Sequence, residues 1–311
     1  MNTTSRRHFL QATAATLLAA PAARAIEPLG RTGKPRLQLS LAAYSFREFF
    51  TGELQRGVSK KGAPPAGQAM DMFKFLDFCA EHGCDGAELT GYFFPKALAA
   101  DYLVQVRRHA FLKGVAVSGT AIGNNFSHPK GPKRDEEIAL TKQWIDRAAV
   151  LGAPHIRVFA GQTKEIPRDE ADKLVVAALE ECSDYAGQKG IFLGIENHDA
   201  IGSAEHLLKL IKQVRSRWLG VNLDSGNFRT ADPYADFAAI APYAVNVQLK
   251  TEINPVGAAQ PGPQPADLGR FVKLLRAAHY QGFVALEFEG KEDPFKAVPP
   301  VLKQLKELFA A

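Results

Sequence analysis

The 311-residue chain has only three cysteines, Cys79, Cys84 and Cys182, and no two of them form a CxxC pair. That excludes a thiolate zinc site and a disulfide scaffold, so the fold must stand on its core. It has no strong basic excess. Of the formal net charge of +5, three charges are Arg6, Arg7 and Arg24 in an acid-free first 25 residues, which leaves +2 for the rest and gives no electrostatic footprint for nucleic acid. No segment is apolar enough over the ~20 residues needed to span a bilayer. There is no linker, no low-complexity tract, and no Gly-rich loop or arginine cluster of the kind that cradles phosphate. With 46% hydrophobic and 23% charged residues, what remains is an ordinary globular composition.

The first 25 residues stand apart. Residues 5–11 read SRRHFLQ, residues 12–22 are almost all Ala, Thr and Leu, and Ala23-Arg24-Ala25 supplies small residues at a cleavage site. We read residues 1–25 as a twin-arginine export signal, with a mature chain that starts near Ile26 and works in the periplasm or is otherwise exported. Residues 26–36 then form an N-terminal extension, and residues 37–311 one domain.

Within that domain, short apolar runs alternate with segments of helical period, eight of each. The predicted strands are residues 37–44, 84–89, 115–119, 155–160, 191–196, 219–224, 244–249 and 283–288. Most are too uniformly apolar for a half-exposed sheet and read as parallel strands covered by helices. Asp232-Pro233 and Asp293-Pro294 place a capping side chain before a proline at the first helical position. Gly83, Gly114, Gly152, Gly190, Gly220 and Gly282 each fall between a helical stretch and a strand, where a left-handed helix stop is wanted. Eight βα units over this length match a (β/α)₈ TIM barrel of ~250 residues better than a doubly wound sheet.

In such a barrel, functional groups project from the C-terminal ends of the strands. Strand five closes in Glu196, followed by Asn197 and His198, and strand six in Asp224, followed by Ser225, Gly226 and Asn227. Strand seven carries Gln248 and Lys250, and strand eight Glu287 and Glu289. Three carboxylates and an amide oxygen converging on one mouth would repel one another without a cation. A divalent ion resolves this, and oxygen ligation favours Mn²⁺ or Mg²⁺, with Co²⁺ or Zn²⁺ as alternatives.

Residues 191–199 (IFLGIENHD), 221–227 (VNLDSGN), 247–250 (VQLK) and 284–290 (VALEFEG) resemble the strand-five to strand-eight motifs of the xylose isomerase-like barrel superfamily, the sugar phosphate isomerase/epimerase group. That resemblance implies a metal-dependent isomerase or epimerase with Glu196, Asp224, Gln248 and Glu287 as metal ligands. Gln248 stands where the family most often has histidine, and Asn227 where its ketose epimerases tend to have one. Glu196 and Glu287 are the expected catalytic pair: one removes a proton beside a carbonyl, the other returns it through an enediolate.

Around them, His198, Lys250, Glu88, Asn227, His128 and Tyr44 are candidate substrate contacts. Arg157, inside strand four, reads as a structural charge in need of a partner. The aromatic mouth segments around Tyr44, Phe46, Phe49, Phe50, Tyr92, Phe93 and Phe94 suit sugar stacking, a dimer contact or plain loop packing. Export disfavours a phosphorylated substrate, so the expected partner is a free sugar, a keto-sugar or a glycoside derivative. Formation of a homo-oligomer is left open. The alternatives are a 3-keto-glycoside lyase or hydratase on the same site, and a sugar-binding barrel without catalysis.

Overall fold

The computed structural model describes residues 26–55, 64–99, 101–162, 164–257 and 262–311. The expected twin-arginine signal, residues 1–25, lies outside the described residues.

Eight parallel strands close into one barrel: β1 (Arg36–Ala42), β2 (Gly86–Thr90), β3 (Ala116–Ala121), β4 (His155–Val158), β5 (Phe192–Glu196), β6 (Leu219–Asp224), β7 (Ala244–Leu249) and β8 (Gln281–Leu286). Each pairs with its sequence neighbours, and β1 closes the ring on β8 from Arg36↔Gln281 to Leu41↔Leu286. Among the described residues eight α-helices cover the outside: α1 (Met72–Glu81), α2 (Tyr102–Leu112), α3 (Pro132–Leu151), α4 (Arg168–Gln188), α5 (Ala204–Ile211), α6 (Pro233–Ile240), α7 (Leu268–Ala277) and α8 (Pro294–Ala310). The chain is a single-domain (β/α)₈ barrel. Among the described residues no helix is long and apolar enough to cross a membrane.

The local signals that set these elements are visible. Asp71, Ser203, Asp232, Asp267 and Asp293 each accept a backbone N–H at a helix start, which satisfies donors the helix itself leaves unpaired. In α1 the buried residues Met72, Phe75, Leu76 and Cys79 recur at helical spacing and face the sheet. Gly83, Gly114, Gly152 and Gly190 hold positive φ between a helix and the next strand.

Gly220 and Gly282 differ from the expectation, because both lie inside strands. At Gly220 a Cβ would fall 2.2 Å from Val245 Cγ1, so close approach of β7, not a helix stop, requires the glycine. Before β8 the left-handed position is taken by His279, at φ 53°.

The extension is folded under the barrel. Leu29 N–H donates to the Pro242 carbonyl (2.9 Å), and Arg31 donates to the Ala244 carbonyl at the start of β7 (2.6 Å). The C-terminal ends of the strands are thereby left as the open mouth. Phe46, Phe50, Phe93 and Phe94 are fully buried there, with Phe50 stacked on Phe93 at 4.4 Å, so these four rings pack the loops; Tyr44 and Tyr92 remain partly open. All three cysteines are free and buried.

Candidate active site

β7 presents Asn246 and Gln248, and Lys250 just past its end continues the spacing of every second position. Alternation in a strand puts such residues on one face, here the barrel axis. They form a ladder from the interior to the mouth.

The lower rungs meet Glu88 of β2. Since β1 and β8 separate β2 from β7 in the ring, these contacts cross the barrel interior. Asn246 Nδ2 donates to Glu88 Oε2 (2.6 Å) and Gln248 Nε2 to Glu88 Oε1 (2.6 Å). From β6, Asn222 Nδ2 donates to Gln248 Oε1 (2.6 Å), while Asn222 Oδ1 accepts from Asn246 (2.8 Å). Burial, helped by the nearby Glu287 carboxylate, pushes the Glu88 carboxyl up to about 8, against the pull of Arg157 and the two amides.

Lys250 is the top rung. Its Nζ lies 2.6 Å from Glu289 Oε2, 3.2 Å from Asp224 Oδ2 and 3.4 Å from Glu287 Oε2, and it donates to Asn227 Oδ1 at 3.3 Å. Asn227 in turn donates to Glu196 Oε1 (2.8 Å), whose second oxygen sits 2.9 Å from Arg157 Nε. Asp224 Oδ1 accepts from the Gly226 N–H (2.7 Å). Its Oδ2 is buried with no hydrogen bond among the described residues, and faces the ammonium only as an ion pair.

Burial shapes the charges. It raises Asp224 to about 6 and Glu287 to about 7, each partly offset by Lys250. Glu196 is raised too, because desolvation outweighs Arg157. Burial would depress Lys250, yet the carboxylates of Asp224, Glu287, Glu289 and Glu196 hold its ammonium well above the ordinary lysine range. Glu289 goes the other way: burial raises it, and Lys250 wins and lowers it.

The other expected contacts surround this cluster unevenly. His198 follows Glu196, with its Nδ1 3.0 Å from Asp199 Oδ1 and its ring 4.3 Å from that of Phe159. Tyr44 sits in a 3₁₀ turn beyond β1, close enough to Glu289 and Glu287 for their charge to raise its hydroxyl pKa, after burial itself. His128 lies on the loop before α3, and its Nδ1 has no hydrogen-bond partner among the described residues. No hydrogen bond or ion pair joins it to the cluster among the described residues.

Sequence reading left out Arg157, Glu289, Asn222 and Asn246 as site residues. The signal was present: polar residues at alternate positions inside otherwise apolar β6 and β7, and an arginine within β4 that must be paired somewhere.

A divalent ion held by Glu196, Asp224, Gln248 and Glu287 does not fit these side chains. Both Glu196 oxygens and the Gln248 carbonyl oxygen are engaged with protein donors, and the Lys250 ammonium stands between Asp224 and Glu287. Among the described residues no three His, Cys, Asp or Glu side chains are placed to share an ion. The strand tips do gather around positive charge, but the charge is on a lysine.

The profile of the xylose isomerase-like TIM barrel family matches residues 76–308, and the chain belongs to that family. Solved structures agree in fold. A xylose isomerase-like TIM barrel protein from Mycobacterium smegmatis in complex with magnesium is 19% identical with a TM-score of 0.66, covering 88% of this chain and 96% of that one. The IOLI protein with a bound zinc atom is 18% identical, TM-score 0.67, covering 87% and 96%. A 3-keto-D-glucoside 4-epimerase from E. coli in its apo form is 16% identical, TM-score 0.64, covering 88% and 100%. No curated protein matches the chain in sequence.

Proposed function

We propose that the protein is an isomerase or epimerase of a sugar or keto-sugar that moves a proton at a carbon beside a carbonyl. One observation carries this: Glu196 and Glu287, buried carboxyl groups from β5 and from the end of β8, approach Lys250 from two directions, Glu287 directly and Glu196 through Asn227. Both are pushed toward neutrality by burial; the Arg157 guanidinium at 2.9 Å favours the ionised form of Glu196, and the Lys250 ammonium, farther off at 3.4 Å, favours that of Glu287. Two carboxyls whose surroundings differ in this way suit a base and an acid.

The ionised carboxylate takes the C–H proton, and the electron pair becomes the C=C bond of an enediolate. The neutral carboxyl then gives its proton to carbon. Delivery to the opposite face of the same carbon inverts it; delivery to the neighbouring carbon, with the hydroxyl proton of the first carbon passing to the enediolate oxygen, isomerises the sugar. Charge on the enediolate oxygen needs a cation beside it. The zinc and magnesium of the solved relatives accord with that general requirement.

The twin-arginine leader supports work outside the cytoplasm, and with it a free sugar, keto-sugar or glycoside derivative as substrate. Incubating the protein with a panel of keto-sugars in D₂O tests the reading. Glu196→Gln and Glu287→Gln should each lower deuterium exchange into carbon by about 10²–10⁴-fold. Full exchange in both variants overturns the two-carboxylate mechanism, and release of an aglycone in place of an inverted sugar redirects it to elimination.

A further inference from the structure

The geometry points to Lys250 as the resident cation of this mouth: its ammonium, in place of a divalent ion, polarises the substrate carbonyl and carries the enediolate oxygen. The inference rests on the isomerase or epimerase reading above.

Three features lead to it. First, Lys250 Nζ contacts Asp224 (3.2 Å), Glu287 (3.4 Å) and Glu289 (2.6 Å), so a positive charge already stands among the carboxylates and offsets part of their repulsion. A divalent ion needs carboxylate oxygens at roughly 2.0–2.6 Å and would have to enter the same space against an ammonium. Second, Gln248, the residue in the position of the family's usual histidine ligand, is committed to the interior. Its carbonyl oxygen accepts from Asn222 (2.6 Å) and its amide donates to Glu88 (2.6 Å), with only a long contact of 3.5 Å reaching Glu287 Oε1 at the mouth. Turning it toward the mouth would strand two buried partners, the Asn222 amide and one Glu88 oxygen, whose remaining groups are already tied to Asn246. Third, Glu196 has neither oxygen free, with Arg157 on one and Asn227 on the other.

An ammonium has three donors and one full charge on a flexible stem. The contact to Asn227, at 3.3 Å, is a neutral one that a substrate oxygen can replace without separating ion pairs. In the step itself the C–H bond breaks to the ionised carboxylate, the C–C double bond forms, and the carbonyl π pair moves onto oxygen, where Lys250 meets the charge and keeps its proton. The second carboxyl then protonates carbon, and the oxygen returns to a carbonyl. No ion or oxidant enters the balance.

The test uses the folded wild-type protein first. Elemental analysis and calorimetric titration with Mn²⁺ should show substoichiometric metal and no saturable binding, and deuterium exchange should be indifferent to a chelator. Lys250→Met should lose exchange by about 10²–10³-fold, the size expected for removing a charge donor from a developing oxyanion, while Lys250→Arg keeps a measurable part. Circular dichroism checks that both variants fold. The double variant Gln248→His with Lys250→Met should acquire Mn²⁺ binding that neither the wild type nor Gln248→His shows. One tightly bound Mn²⁺ per wild-type chain, or exchange lost on chelation and restored by Mn²⁺, overturns the inference. Should no sugar exchange at all, the isomerase reading falls, and the Mn²⁺ titrations still decide alone whether the ammonium holds the ion's place.

Discussion

Arg157 Nε lies 2.9 Å from Glu196 Oε2, and each side chain is only 4% exposed, so β4 and β5 share a buried ion pair under the mouth. The same guanidinium donates to the Ile122 carbonyl (2.6 Å) and to the Tyr92 hydroxyl (3.2 Å), and lies over the Phe159 ring at 4.0 Å. Removing one partner of such a pair leaves an uncompensated charge in a desolvated place. Arg157→Met should therefore cost about 3–5 kcal/mol in denaturant unfolding at neutral pH. Adding Glu196→Gln to it should recover part of the loss, because the stranded carboxylate is gone. Strict additivity of the two single variants would show that the contact carries no coupling.

Glu88 offers a pH test. Its folded pKa is raised from 4.5 to about 8, first by burial and then by Glu287. Between those values the folded state binds more protons than the unfolded one, so the stabilisation present below about pH 4.5 is lost as pH rises toward 8. Unfolding free energy should fall across that window, and Glu88→Gln should flatten the slope. Its absolute stability at pH 5 should drop by about 1 kcal/mol, because Asn246 and Gln248 both donate to this carboxyl and a single amide oxygen cannot serve them as well. Urea melts from pH 5 to 8 read both effects; an unchanged slope would remove Glu88 as their source.

The barrel was legible in the sequence because its signals are local. Apolar runs bounded by Asp-Pro starts and glycine stops need no knowledge of the rest of the chain; Gly220 misread because close strand approach calls for the same residue as a helix stop, and Gly282 because its positive φ of 156° falls inside β8. The mouth was half legible. Glu196, Asp224, Gln248, Lys250 and Glu287 stand out as polar ends of apolar runs, and the exchange of histidine for Gln248 was visible as a departure. What Gln248 does instead was not visible, because its partner Glu88 is 160 positions away across the barrel and Asn222 reaches it only through the β6–β7 register. Arg157 was likewise readable as a buried charge without an address, until Glu196 on the next strand supplied one.

Gly119 of β3 marks a tight place below the site. A Cβ there would lie 1.9 Å from the His155 ring, which is buried in the next strand and kept neutral, with its pKa pushed down to about 4 chiefly by burial. That ring is hemmed in and cannot swing aside freely. Gly119→Ala should destabilise by about 1–3 kcal/mol through overpacking, read as a lowered melting temperature. If His155→Ala is introduced as well, the added methyl group should be tolerated; a penalty that persists would place the strain in the backbone.

Asn227 separates positioning from binding. Its neutral side chain touches both halves of the cluster, with Nδ2 on Glu196 Oε1 (2.8 Å) and Oδ1 accepting from Lys250 Nζ (3.3 Å). Asn227→Ala removes no charge, so the ion pairs of Lys250 with Asp224 and Glu289 should persist and stability should change by less than about 1 kcal/mol. Glu196 would lose the donor that fixes one of its oxygens, and a carboxylate free to rotate spends less time aimed at carbon. On a sugar that the wild type exchanges, kcat should fall by about 10–100-fold with KM changed far less, because a misaligned base weakens the transition state more than the bound ground state. Asn227→Asp should be worse than Asn227→Ala. Its second carboxylate would face Glu196, trade a donor for a repulsive acceptor and draw Lys250 away from the substrate oxygen. Equal rates in the two variants, or a loss confined to KM, would mean that Asn227 acts on substrate binding and not on the carboxylate beside it.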